Sequence, residues 1–251
     1  MNEPFVSVII PAYNCEPFIE AAVRSVMEQT HRSWELLVID DGSTDATCEI
    51  IRRLAEEDAR IRFLRNPVNI GVAGTRNRGL DESQGEYVAF LDGDDVWHPD
   101  KLEKQLQAIR AEDADVSYTS YAVVDRGGTP CKRPYMVPDH TSFASMLKEN
   151  VMGCSTVMLS RRVADSYRFI KDFYHEDYCL WLSILRDGYK AVGCRDVLVS
   201  WRLIADSRSF NKRNSARKRW KIYREYLGYS AVKSARLFLS YTIKGVKKYF
   251  C

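Results

Sequence analysis

The chain has 251 residues, 45% hydrophobic and 28% charged, with a net charge of +3, enough to bury one sizeable core or one core plus a small appendage. Its seven cysteines (15, 48, 131, 154, 179, 194 and 251) form an odd set without a CxxC pair, which argues against a disulfide framework and a structural zinc site. No basic leader or cleavage site precedes the apolar run at 5–10, so no secretory signal is read and a cytoplasmic location is expected. The net charge is unevenly spread: residues 211–251 hold twelve Lys/Arg and one acid, a charge of +11, which leaves −8 on residues 1–210.

Residues 5–10, 35–39, 61–64 and 87–91 are short, β-rich apolar runs, and stretches of helical period separate the first three and lead into the fourth. In the first predicted helix Ile19, Ala22, Val23 and Val26 recur at i, i+3, i+4 and i+7. In the second, Cys48, Ile51, Leu54 and Ala55 make a similar stripe behind a predicted Ser43/Thr44 cap. Pro99 is expected in the first turn of another helix, with Leu102, Leu106 and Ile109 turned inward. Near-continuous apolar strands alternating with amphipathic helices predict an α/β fold, a mostly parallel central sheet with helices on both faces, and ligands at the carboxyl ends of its strands. The body is read as residues 1–210, in halves 1–113 and 114–210. The second half carries a strand at 116–124, a Gly127-Gly128 turn, a Pro-bearing loop, an apolar run at 155–159 and a strand at 197–203. Before that last strand a helix at about 176–187 buries Leu180, Trp181, Ile184 and Leu185.

Acids gather where strands end. Asp40-Asp41-Gly42-Ser43-Thr44-Asp45 closes the second run and Asp92-Gly93-Asp94-Asp95 the fourth. Asp and Gly make good turns in any case, but a carboxylate beside a glycine can also come close to a ligand. The three acids of 92–95 would repel one another without a counter-charge, and Mg²⁺ or Mn²⁺ takes oxygen ligands from one or two carboxylates plus phosphates.

Val6-Ser7-Val8-Ile9-Ile10-Pro11-Ala12-Tyr13-Asn14, DDGSTD at 40–45, Asn77-Arg78-Gly79, Gly85-Glu86-Tyr87 and DGDD at 92–95 together resemble glycosyltransferase family 2 on the GT-A nucleotide-diphospho-sugar transferase fold, over about residues 5–205. The resemblance implies a nucleotide diphosphate-sugar donor, usually a UDP-sugar, and a divalent metal, Mn²⁺ or Mg²⁺. It implies that Pro11, Ala12, Tyr13 and Asp41 meet the base and ribose, that Asp92 lies by the ribose, and that Asp94 ligates the metal. Gly93 and Arg76 are further candidate donor contacts, Arg76 on a helix face otherwise expected to be solvated. On this reading 1–113 is the nucleotide-binding half and 114–210 the acceptor-facing half.

Attack by an acceptor hydroxyl needs a base within hydrogen-bond reach. Asp177 lies at i−3, i−4 and i−7 from Leu180, Trp181 and Ile184, so helical geometry turns it toward the protein, while Glu176 is expected about 100° away. Asp177 is therefore the predicted base and Glu176 its companion; the alternative for either is an acid that only favours the helix dipole. The family's Glu-Asp pair in this region favours the functional reading. Trp201-Arg202 and the Ser207-Arg208-Ser209 loop resemble the family's closing segment, where Arg202 would meet the diphosphate as a bidentate donor or be a strand-end surface charge.

The 211–251 segment interleaves aromatic and apolar residues with Lys and Arg, as an interfacial helix pair does. Uncharged stretches such as 226–232 are far too short to span a bilayer, so the tail is expected to lie on an anionic membrane surface, making the enzyme peripheral on the cytoplasmic face of the inner membrane. A basic helix packed on the body, or a nucleic-acid patch, are the alternatives. The expected activity is inverting sugar transfer to a saccharide or lipid-linked saccharide in exopolysaccharide, O-antigen or lipopolysaccharide assembly. A metal-dependent sugar nucleotidyltransferase would use similar acids but needs a Gly-rich basic loop after the first strand, and Pro11-Ala12-Tyr13-Asn14-Cys15 is not one. A nucleic-acid-binding module would rely on the tail alone, since the acidic body offers no basic groove; no nucleic acid partner is expected.

Overall fold

The computed structural model describes residues 3–171, 173, 175–204 and 212–250, with backbone only at 212–215 and 244–250. The first half is the expected alternation: β1 (Val6–Ala12), α1 (Ile19–Met27), β2 (Trp34–Asp40), α2 (Thr47–Glu57), β3 (Ile61–Arg65), α3 (Gly71–Glu82) and β4 (Tyr87–Phe90). These strands pair in parallel in the order β3-β2-β1-β4. Successive side chains of a strand point to opposite faces, and both faces are covered here. Ile9, Leu37 and Ile39 enter one core, while Val8, Ile10, Leu36 and Val38 enter the other, together with Ile19 and Val23 of α1 and Ile51 of α2. That double burial is why the strands read as unbroken apolar runs. α3 lies so close to β1 that a Cβ at Gly79 would sit 2.5 Å from Ile9 Cγ2, so only glycine fits at that crossing.

β5 (Val96–Trp97), α4 (Lys101–Glu112), β6 (Val116–Val124), the short α5 (Phe143–Met146), β7 (Met158–Ser160), α6 (Arg161–Ser166), α7 (Glu176–Arg186) and β8 (Ala191–Arg202) complete the sheet in the order β3-β2-β1-β4-β7-β6-β8-β5. β7 runs antiparallel to both β4 and β6, β5 antiparallel to β8, and β6 parallel to β8.

Several local expectations are corrected. The Ser43/Thr44 pair does not cap α2, because a capping hydroxyl must reach the first helical turn and α2 opens only at Thr47. Asp45 Oδ1 takes the Thr47 N–H instead (3.1 Å), and Ser43 Oγ accepts from Asn14 N at 2.9 Å. α4 opens at Lys101, after Pro99 rather than around it. The 155–159 run divides into a 3₁₀ turn at Cys154–Thr156 and β7. The last strand begins at Ala191, six residues earlier than its apolar pattern suggests; Arg195 and Asp196 interrupt that pattern where register shifts near Ser120 let the pairing with β6 slip.

Beyond the body, α8 (Lys212–Lys221), a π-helical turn (Ile222–Tyr226) and α9 (Ala231–Phe250) follow. The segment read from its charge as a separate tail contributes to the body's core. Ile222 and Tyr223 are buried among its residues, Tyr223 O–H donates to the Leu147 carbonyl, and Tyr226 O–H lies 3.2 Å from the Cys179 carbonyl on α7. The Arg219 guanidinium stacks 3.7 Å from the Tyr178 ring centroid. α9 turns Leu237, Phe238 and Tyr241 toward its neighbours and leaves Val232 (64%), Leu239 (62%) and Ile243 (50%) exposed. Among the described residues no helix is long and apolar enough to cross a membrane.

Candidate active site

The carboxyl ends of β1, β2 and β4 open into a cavity of about 860 Å³, within the size range of small-ligand sites. It brings together every candidate named from the sequence within the described residues. Pro11, Ala12, Tyr13, Asp41, Arg76, Asp92, Gly93 and Asp94 line the side built by the first half, and Glu176, Asp177 and Arg202 the other. The Ser207-Arg208-Ser209 loop lies outside the described residues.

The two aspartates that end β2 have different work. Asp40 turns the chain, accepting the backbone N–H groups of Gly42 and Ser43, each at 3.2 Å, with Arg65 Nε 3.3 Å away. Asp41 reaches the cavity. Its carboxylate accepts from Asn66 Nδ2 (2.7 Å), Ile70 N (2.9 Å) and Gly71 N (2.8 Å), which fixes the loop that launches α3. A carboxylate has about four acceptor positions, so one stays open to a ligand donor.

Arg76 is not on a solvated face. It is 3% exposed, its Nη2 donates to Asp92 Oδ1 at 2.5 Å and its Nη1 to Glu176 Oε1 at 2.9 Å. One guanidinium therefore bridges the strand-end loop after β4 to the start of α7, and the cation offsets acids from both. α3 carries it inward beside Ala73, Thr75 and Leu80, which are buried as well.

Glu176 is also inside, 8% exposed and paired with Arg76, where helical spacing had turned it outward. Both acids belong to the first turn of α7, where no preceding turn covers either side chain, and His175 enters the helix in the left-handed region (φ 75°). Asp177 lines the cavity and accepts from Tyr178 N at 2.7 Å. Burial and then the neighbouring Glu176 charge push its carboxyl up from the ordinary 3.8 to about 6, with Arg76 pulling the other way. A carboxylate of that basicity is suited to proton transfer near neutral pH.

The third acid of the 92–95 cluster has a structural role. Asp95 is buried, accepting Ser155 Oγ–H at 2.6 Å and Arg202 N at 2.8 Å. Burial, and next the Asp94 and Asp92 charges, hold its carboxyl well above the usual range. Arg202 ties the loop down from the other side, Nε to the Asp94 carbonyl (2.8 Å) and Nη1 to the Arg126 carbonyl (2.6 Å). Its guanidinium thus lines the cavity while already serving backbone carbonyls. Ser155 is a residue sequence reasoning missed: it also accepts from Asp92 N at 3.1 Å. Nothing in Gly153-Cys154-Ser155-Thr156 distinguishes it in sequence; only the fold brings it beside β4.

Among the described residues no cluster of three His, Cys, Asp or Glu could hold a metal by itself. Asp94, with Asp92 two residues away, supplies one or two cavity carboxylates instead, which fits Mg²⁺ or Mn²⁺ completed by substrate phosphate oxygens.

The family model for glycosyl transferase family 2 matches residues 7–169. The chain belongs to glycosyltransferase family 2. This glycosyltransferase is 38% identical over 246 residues, 98% of either chain, to the Bacillus subtilis protein named "Putative teichuronic acid biosynthesis glycosyltransferase TuaG". It is 35% identical over 99% of its length, and 96% of the relative's, to the Escherichia coli "UDP-Glc:alpha-D-GlcNAc-diphosphoundecaprenol beta-1,3-glucosyltransferase WfgD". Among solved structures, Staphylococcus aureus TarS 1-349 in complex with UDP-GlcNAc superposes with a TM-score of 0.74 at 18% identity, over 95% of this chain and 71% of that 1-349 chain. That likeness shows the GT-A fold.

Proposed function

We propose that this family 2 glycosyltransferase moves a sugar from a UDP-sugar, by a single inverting displacement, to a hydroxyl of a lipid-linked saccharide, in the assembly of a surface polysaccharide. The observation that carries the reading is the Arg76 bridge: it couples Asp92, in the strand-end loop beside Asp94, to the Glu176-Asp177 pair across one cavity. A donor and an acceptor bound there would share one cavity, which is what displacement at a sugar carbon requires.

Pro11, Ala12 and Tyr13 flank the base and ribose, and Asp41 uses its remaining acceptor position for the imide N–H of uracil. Asp92 holds the ribose edge of the donor while Arg76 keeps its carboxylate in place. Gly93, where a Cβ would lie 3.1 Å from Cys15 Sγ, lets the loop pack close against the end of β1 beside the donor, and Arg202 keeps that loop rigid. Asp94 would hold a divalent metal, Mn²⁺ or Mg²⁺, which would supply positive charge to the departing diphosphate. Asp177, ionised above about pH 6, takes the proton of the acceptor hydroxyl as that oxygen attacks. Glu176 pairs with Arg76 and raises the basicity of its neighbour. A double displacement would need a carboxylate nucleophile as well as a base; Asp177 acting as base alone serves a single inverting displacement.

A lipid-linked acceptor is supported by the WfgD name and by α9. Its exposed Val232, Leu239 and Ile243 share the helix with Lys233 and Arg236, the pairing of apolar surface with basic charge that binds anionic bilayers. The protein would then be peripheral on the cytoplasmic face of the membrane. The test is a panel of nucleotide sugars assayed for nucleoside diphosphate release, with Mn²⁺ or with EDTA, in the presence of lipid-linked oligosaccharide. Release from a UDP-sugar that depends on both metal and acceptor is expected. Release without acceptor dependence, or no release from any nucleotide sugar, would contradict the reading.

A further inference from the structure

Another part of the same cavity has a surface of a different character. Tyr121 of β6 and Trp201 of β8 line it, with Asn150 and Val199 beside them. Tyr121 pairs with Val199 across the parallel ladder, so Trp201 is its diagonal neighbour on the same face. The Tyr121 and Trp201 rings lie 6.3 Å apart at 69°. Tyr135 backs Tyr121 at 5.2 Å and 37°, held by a reciprocal pair of backbone hydrogen bonds and by its O–H to Glu149 Oε1 at 2.8 Å.

These three aromatic residues are only half-buried, although rings used purely for packing in this molecule, such as Trp181 and Phe90, are sealed. None of the four residues lining this surface carries a charge, which separates it from Asp41, Asp92 and Asp94. A rigid aromatic wall loses little freedom when it binds, and its π-faces favour the slightly positive C–H edge of a partner. One face of a sugar ring is such a C–H surface, and its hydroxyl rim suits the Asn150 amide, which Met152 N already orients from 3.1 Å.

We infer that Tyr121 and Trp201 form an acceptor subsite that stacks one neutral sugar ring and determines which acceptor is used. This rests on the glycosyl-transfer reading and deepens it: the stacked ring carries, or adjoins, the hydroxyl presented to Asp177. Tyr135 is a positioning residue for Tyr121.

The experiment uses the full chain loaded with UDP and Mn²⁺, with three probes: the octyl α-glycosides of glucose, galactose and N-acetylglucosamine. Saturation-transfer NMR reads which probe protons touch the protein. Ring C–H protons of at least one probe should saturate, Trp201→Ala should weaken that probe about tenfold, and Trp201→Phe should keep most of the affinity. UDP binding by calorimetry should stay within about twofold for both variants, which also reports that they are folded. Saturation confined to the octyl chain, no saturation of any probe, or equal affinity in Trp201→Ala with UDP binding intact would each overturn the subsite. Failure of the wild type to bind UDP would instead overturn the UDP-sugar donor reading beneath it.

Discussion

Replacing Asp177 by Asn removes a proton acceptor without changing its shape, and stability and turnover should move in opposite directions. Burial and the Glu176 charge raise the Asp177 carboxyl from 3.8 to about 6, so the folded protein holds this proton more tightly than the unfolded chain. The wild type therefore loses stability as pH rises from about 4 to about 6, and above that it carries a constant penalty of about 3 kcal/mol. Asparagine has no charge to desolvate and can still accept the Tyr178 N–H through Oδ1. At pH 7.5 Asp177→Asn should melt about 5 °C or more above the wild type, with the gap closing near pH 4. Turnover should fall about 10²–10⁴-fold, and the wild-type rate should rise through about pH 6 as Asp177 ionises. Scanning calorimetry at the two pH values, UDP binding and single-turnover transfer on the same sample provide the check. A variant that melts below the wild type at pH 7.5 would refute the electrostatic reasoning. Near-normal transfer by Asp177→Asn with collapse in Glu176→Gln would move the base to Glu176.

Arg76→Met should strand the buried Glu176 and leave the half-buried Asp92 without its cation, costing about 3 kcal/mol in denaturant unfolding, and in whatever folds it should shift the pH-rate profile upward, because Arg76 is what holds Asp177 down. Lys101 is fully buried, its amine 3.8 Å from the Trp97 ring centroid and pushed well below its usual range by burial. The unfolded chain then binds the extra proton, so Lys101→Met should gain most over the wild type near pH 6 and progressively less toward pH 10, read from urea midpoints. Deleting 211–251 should destabilise the body, because Ile222 and Tyr223 leave its core. Combined Val232→Ser, Leu239→Ser and Ile243→Ser should keep the fold and release the protein from anionic vesicles in a sedimentation assay; equal sedimentation would contradict the membrane reading.

The first half of the chain is legible in sequence because its signals are local. Doubly covered strands must be apolar throughout, and the helices between them need one apolar stripe each, so Val8, Ile9, Leu36 and Leu37 report burial directly. The strand-end acids are legible for the same reason, since Asp41, Asp92 and Asp94 sit where a parallel sheet exposes its ligand edge. What fails depends on partners distant in sequence. Glu176 is drawn inside by Arg76, one hundred positions earlier, and no helical wheel of α7 contains that cation. Asp95 reads like its neighbours until Ser155 and Arg202 converge on it from other strands. The tail's charge dominates its composition, so the few aromatic contacts that dock it on α7 are invisible to any count of Lys and Arg.

The central claim, that one base drives one displacement across this cavity, is tested most directly by the anomeric configuration of the product. A UDP-α-sugar accepted by the wild type should be transferred with Mn²⁺ to a saccharide acceptor and the new linkage read by NMR from its anomeric proton coupling. A β linkage is expected, formed at a rate that falls with Asp177→Asn; an α linkage would rule out a single displacement.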